Sequence, residues 1–173
     1  MPEQNPERGD GPCRSGPLPD AVVDALLAAL DDEFQAEATY RAVIGRFGRV
    51  MPFAVILGAE QRHAAAVIRL LHRYGRAAPA NPYHWAPDQI PGSLAAACDA
   101  AVAAEVKNAA LYDHALLPVV QGYPDIEAVF LRLRDASSHC HLPAFRHWAE
   151  IYRSEGAQRE TAEEPCRGGD GCC

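Results

Sequence analysis

The sequence predicts an all-α protein, an up-down bundle of four helices with a long crossover between helices 2 and 3. Three observations predict it. Apolar residues recur at alternating spacings of three and four along four long stretches, which is helical periodicity. Proline stands at or between the ends of the stretches rather than inside them, with one exception in the fourth, Pro143. The second and third stretches are separated by a proline-rich run much longer than a turn between adjacent antiparallel helices needs.

Residues 1–19 carry Pro2, Pro6, Pro12, Pro17 and Pro19 with several glycines and read as a disordered arm. Asp20 is the expected N-cap of the first helix, residues 20–47. Its seam runs Val23, Leu26, Leu30, Glu33, Glu37, Tyr40, Ile44, Phe47, and two glutamates lie on it. Gly48 ends this helix and Pro52 starts the next, so helices 1 and 2 should be antiparallel neighbours. The second helix, about 52–74, has the seam Phe53, Ile56, Glu60, His63, Val67, Leu70, Tyr74. Residues 77–92 are too rich in proline for a helix, and Tyr83, His84 and Trp85 are expected to anchor them as a crossover. Ser93 caps the third helix, whose seam is Leu94, Cys98, Ala101, Glu105, Asn108, Tyr112 and which stops before Pro118. The fourth helix, about 126–154, places Phe130, Ser137, His141, Phe145 and Trp148 on one face, with Arg134 and Ser138 at its edge. Pro143 removes a backbone bond to His139 and should kink this helix beside His141. Gly156 is expected to end it, leaving residues 20–155 as the bundle and 156–173 as a disordered, cysteine-containing tail.

A chain of 173 residues suits one domain with tails, and 49% hydrophobic content suits a buried core. A formal charge of −7 argues against a nucleic-acid partner and against a polybasic membrane patch. No apolar run approaches the roughly 18 residues of a membrane span, and the polar first residues lack an apolar signal region, so a cytoplasmic location is expected. Cys13, Cys166, Cys172 and Cys173 lie in the tails and frame no core, while Cys98 and Cys140 are expected to pack as small apolar residues. The Cys166, Cys172, Cys173 spacing matches no zinc module and reads as reactive thiols on a tail.

The chemistry lies on the seams. A charge on an apolar stripe costs free energy unless something pairs with it. Each helix carries such a group at mid-height: Glu33 or Glu37, then Glu60 with His63, then Glu105, then His141. Four long helices with a central crossover suggest a ferritin-like bundle, whose di-metal sites use a Glu from each of two helices and Glu-x-x-His from each of the others. Oxygen and imidazole donors together suit iron or manganese, with zinc as a further option. Without a metal, the same residues would be buried charges paired with arginines such as Arg41 and Arg134.

The segments Glu33-Phe-Gln-Ala-Glu-Ala-Thr-Tyr40, Phe47-Gly48, Pro52-Phe53, Ala59-Glu-Gln-Arg-His63, Ala104-Glu105, Leu111-Tyr-Asp113 and His141-Leu-Pro-Ala-Phe145 resemble a bacterial ferritin-like family. That family is catalogued as domain of unknown function 2202 and is distantly similar to rubrerythrin and ferritin. The resemblance covers roughly residues 20–153. It implies that Glu33 rather than Glu37 is the first-helix ligand, since Tyr40 follows seven residues on, and that Glu60, His63, Glu105 and His141 complete the set. Tyr40 and Tyr112 would hydrogen-bond the ligands or quench radicals near the metals.

The chain departs from that pattern at named positions. Ser138 stands where the fourth helix should carry the glutamate of Glu-x-x-His, and Asn108 stands where rubrerythrins carry a second third-helix glutamate. The Cys-x-x-Cys pairs of a rubredoxin module are missing. Glu37 would partly replace the lost carboxylate, and a mono-metal or lopsided two-metal site becomes an alternative. The expected function is a metal-binding oxidoreductase acting on O₂ or peroxide in oxidative stress, as a ferroxidase or a peroxide reductase. Iron is the first choice of cofactor, and the partners are a small oxidant and an unidentified electron donor. The alternative is a non-enzymatic metal-binding or helical interaction module with a degenerate site. Homodimerisation is compatible with the sequence.

Overall fold

The computed structural model describes residues 17–162, and within them every regular element is helical. Helix α1 spans Asp20–Phe47, α2 Phe53–Arg73, α3 Leu94–Leu111, α4 Pro124–Ala136 and α5 Leu142–Ala162. A π-helical turn, Tyr112–Leu116, prolongs α3, and a second, Ser137–His141, joins α4 to α5 as one rod. The result is a bundle of four helical rods. No described helix is long and apolar enough to cross a membrane. The expected proline-rich arm falls on residues 1–16 and the tail cysteines on 163–173, both outside the described residues except for Pro17–Pro19.

Pro19, not Asp20, occupies the N-cap of α1, and no side chain caps it. The Pro19 carbonyl accepts from the amides of Val22 and Val23 instead, and Asp20 sits in the first turn, where its charge suits the helix dipole. At the other end Gly48 adopts φ 85°, a left-handed conformation that glycine takes without steric cost, and its amide closes on Ile44 O. The Ser93 hydroxyl accepts from the Ala96 amide at 3.2 Å, so the cap expected of α3 is present. Gly156 does not end the last helix, which runs on to Ala162. A single glycine in an exposed helix costs only about 1 kcal/mol, and alanine, glutamine, arginine and glutamate follow it.

The fourth-rod proline acts through the π turn. The Leu142 amide reaches back to Ser137 O, five residues away, which widens the turn just before Pro143. Widening moves the backbone that a proline ring would otherwise strike. The same device appears at the end of α3, where Leu117 N bonds Tyr112 O at 2.9 Å just before Pro118.

Two apolar clusters fill the bundle. One gathers Leu26, Leu30, Val67, Leu71, Tyr112, Ile126 and Phe130; the other Val43, Phe53, Ile56, Cys98, Ala101 and Phe145. Each fully buried Leu, Ile or Phe contributes roughly 1.5–3 kcal/mol of transfer free energy. In the second cluster Phe53 and Phe145 pack edge-on or tilted about Tyr40 and each other, with ring centroids 5.1–5.6 Å apart. Between the clusters lies a buried polar layer, and there the charged seam residues meet.

The seam of α1 is only partly the buried face. Leu26, Leu30, Glu33 and Tyr40 are buried, whereas Val23, Ile44 and Phe47 are half-exposed and Ala25, Ala29, Phe34 and Val43 take the core positions. A strict 3,4 alternation repeats every 3.5 residues, and a straight helix drifts from it by roughly 20° per heptad.

The connection from Tyr74 to Ser93 lies along α1. Arg76 donates to Leu18 O, Asn81 to Phe34 O, the Tyr83 hydroxyl to Asp31, and Arg46 to Ile90 O. Tyr83 and Trp85 stack on each other as this connection passes, while His84 faces solvent. A short 3₁₀ turn, Pro87–Gln89, precedes Ile90, which is buried in the second cluster.

Candidate metal centre

Glu33 from α1, Glu60 from α2 and Glu105 from α3 are 3%, 3% and 4% exposed, and His141 from the second π turn is buried with them. His63, one helical turn after Glu60, is half-buried. All five converge. His63 Nδ1 lies 3.1 Å from Glu60 Oε2 and 3.3 Å from Glu33 Oε2. His141 Nδ1 lies 3.0 Å from Glu60 Oε1 and 3.5 Å from Glu105 Oε1. The two imidazoles stack with centroids 5.5 Å apart. Two groups of three therefore form, Glu33–Glu60–His63 and Glu60–Glu105–His141, with the ligand atoms in each within 4.8 Å of one another. Either group could hold a metal ion, and Glu60 belongs to both.

A near two-fold relation organises the surroundings. Tyr40, seven residues after Glu33, donates its hydroxyl to Glu105 Oε1 at 2.8 Å. Tyr112, seven residues after Glu105, donates to Glu33 Oε1 at 3.2 Å. Each outer glutamate is thus held by the tyrosine of the other helix. Burial, reinforced by Glu105 for Tyr40 and by Glu33 for Tyr112, keeps both phenols protonated far above their ordinary range, so both remain donors.

The electrostatics are those of a crowded layer short of water. Burial pushes Glu33 up to about 8, against the opposing hydrogen bond of His63. Burial would also raise Glu60, but His141 and His63 together overcome it and hold Glu60 down at about 2. The imidazoles respond in the opposite sense. Burial disfavours their charged forms, yet Glu33 and Glu60 lift His63 to about 9, and Glu105 and Glu60 lift His141 to about 10. Without a metal, protons on the imidazoles balance the carboxylates.

His141 Nδ1 is an exception to full satisfaction. It is buried and has no hydrogen-bond partner, although two carboxylate oxygens lie within 3.5 Å. Close approach with no hydrogen-bond alignment sets apart this nitrogen from His63 Nδ1, which does bond Glu60. A ring nitrogen and two carboxylate oxygens sharing a point is a donor set that fits a cation.

Other candidate residues fall outside this core. The Glu37 carboxylate is taken by Arg41, at 2.7 Å, and by Gln61, at 3.1 Å, and does not join the cluster. Arg134 pairs with Asp113 and Asp135 on the surface. Ser138 lies half-buried within the π turn and does not enter either group. The wider π turn brings residues four apart into line, so Ser137 rather than Ser138 shares the inner side with His141. Ser137 donates to Asn108 Oδ1 at 3.1 Å, and Asn108 in turn donates to Asp32 Oδ2. Helical periodicity already places Ser137 on the face of His141, but it does not single out Asp32 as a member of this layer. Asp32 precedes Glu33 and lies off the seam; burial, with Glu105 and Glu60 nearby, raises it to about 6 against the Asn108 hydrogen bond. Cys98 is buried and burial lifts its thiol to about 11, which makes it inert. Cys140 is exposed, because the π turn that aims His141 inward points its neighbour out.

No family model, curated protein or solved structure matches this chain.

Proposed function

We propose that this chain is a ferritin-like metal protein whose two-metal centre, of iron or manganese, acts as an oxidoreductase on O₂ or peroxide in the cytoplasm. The single observation that carries the reading is the shared carboxylate of Glu60, with one oxygen 3.1 Å from His63 and the other 3.0 Å from His141. Two adjacent donor groups bridged by one carboxylate are the arrangement that four-helix di-metal proteins build from their inner faces. The ferritin-like topology is supported by the clusters. Both α2 and α3 begin in the Phe53–Phe145 cluster and end in the Leu30–Phe130 cluster, so they run the same way and need the long connection along α1 as a crossover.

Glu33 with His63, and Glu105 with His141, would hold one cation each, with Glu60 spanning both. Such ions, bound by few protein ligands, would supply a redox-active Lewis acid with positions free for an oxidant. Tyr40 and Tyr112 orient the outer carboxylates, as outer hydrogen bonds do at metal sites generally. The two apolar clusters shield the layer from water on both sides. Three carboxylates rather than four make the pair lopsided, with the deficit beside His141, where Ser138 stands.

A second reading, a metal-free ion-pair layer serving stability alone, is favoured by the hydrogen bonds of Glu33, Glu60, His63 and Glu105 within the layer, His141 Nδ1 being the exception. One experiment separates them. The full chain is loaded anaerobically with Fe(II), its iron counted by elemental analysis, and oxidation by O₂ and by peroxide followed by absorbance. The metal reading expects about two ions per chain and oxidation faster than that of free Fe(II). A chain that retains neither iron nor manganese at neutral pH overturns it.

A further inference from the structure

A cleft of about 180 Å³ lies between α1 and α3 and reaches the carboxylates of Glu60 and Glu105. Along α3 its wall is made of the methyl groups of Ala97, Ala100, Ala101 and Ala104, followed by Glu105 and Asn108. Phe53 and Trp85 supply aromatic surface, and Trp85 belongs to the connection that passes over α1. Asp32 and Asn108 join the two glutamates in its lining, and Gln35, Thr39 and Ser137 add further polar groups. Ala100 and Ala104 are exposed, so the cleft opens to solvent along α3. Glu33, His63 and Tyr112 do not line it. Of the five residues of the centre the cleft reaches Glu60 and Glu105; His141 does not line it either.

We propose that this cleft binds a small organic molecule with a one-ring apolar body and a hydrogen-bond-donating head, phenol being the simplest, with its head against Glu60 and Glu105. The volume sets the size: an apolar cavity of roughly 150 Å³ accommodates benzene. The wall sets the body, because four alanine methyls offer apolar contact and no hydrogen-bond partner. The two glutamates set the head, because buried carboxylate oxygens accept hydrogen bonds and reward a donor in a site with little water. A hydrated inorganic ion would be poorly served by the alanine wall. The proposal rests on and deepens the metal reading by naming what meets Glu60 and Glu105 from the cleft, whose walls come from α1, α2, α3 and the connection.

The test uses the full chain and 4-fluorophenol, followed by fluorine NMR, with fluorobenzene as the probe that lacks the head. Saturable broadening of 4-fluorophenol is expected, with weaker binding of fluorobenzene. Ala101→Phe fills the cleft and should weaken 4-fluorophenol about tenfold or more. Ala100→Trp blocks the opening from an exposed helix position and should do the same; it decides the matter if Ala101→Phe fails to fold by circular dichroism. Absence of saturation, equal binding of the two probes, or a smaller loss in folded Ala100→Trp overturns the proposal. Metal counted on the same samples keeps the two readings apart: probe binding without metal leaves the cleft standing alone, and metal without probe binding does the reverse.

Discussion

Glu60 and His141 come from different helical hairpins and meet at 3.0 Å, on the side of the carboxylate opposite to His63. One side chain therefore joins the two halves of the bundle, and its loss should be felt in both donor groups.

Removal of Glu60 should cost more metal than removal of either outer glutamate. Glu60→Ala strips an oxygen from both groups and should leave about zero ions per chain. Glu105→Ala leaves Glu33, Glu60 and His63 in place and should retain about one ion. Elemental analysis after gel filtration checks this, and equal losses in the two variants would contradict a bridging role.

The metal-free chain should lose stability as the solution becomes alkaline. His141 is lifted from 6.5 to about 10, so the folded state holds a proton that the unfolded state has released between those values. Its contribution is complete below about pH 6.5 and disappears as pH rises through about 10. Glu60 is lowered from 4.5 to about 2, so its contribution is complete above about pH 4.5 and is lost as pH falls toward 2. Thermal melts of chelator-treated protein should peak between these limits. A metal that takes the place of the imidazole protons should release protons at pH 7 and bind more tightly as pH rises. Calorimetry in buffers of different ionisation enthalpy measures that release.

The two tyrosines should not be equivalent. Tyr40→Phe leaves a buried acceptor of Glu105 without its 2.8 Å donor and should cost about 1.5–3 kcal/mol. Tyr112→Phe removes a longer bond, 3.2 Å, to a glutamate that burial already biases toward its neutral form, and should cost less. Urea unfolding of the metal-free variants gives the comparison.

Gly156→Ala should stabilise the chain. The glycine lies inside α5 and a methyl there meets nothing within 4 Å. Reduced freedom of the unfolded chain should contribute about 0.5 kcal/mol, seen as a small rise in melting temperature. A fall would mean that the last helix does not run past this position.

The sequence by itself determined the helices and the depth of the ligands. Periodicity of 3.5 to 3.6 residues is local, and so is the cost of placing Glu33, Glu60, Glu105 and His141 on apolar stripes, which is why all four are legible from spacing alone. The cap of α1 falls one residue earlier than its side chains suggest, because a backbone carbonyl, Pro19 O, does the capping that Asp20 would be expected to do. Tertiary structure decided the rest. Glu33 and Glu37 share one seam, and only packing turned one inward and left the other to Arg41 and Gln61. Pro143 announces a disturbance beside His141, but that it takes the form of a widened turn rather than a kink depends on which backbone bond forms. The exchange of tyrosines between Glu33 and Glu105, and the cleft between α1 and α3, join residues more than sixty positions apart. Spacing within a helix records which way a side chain points; which atoms it then meets is set by the neighbouring helices, and no local pattern contains that.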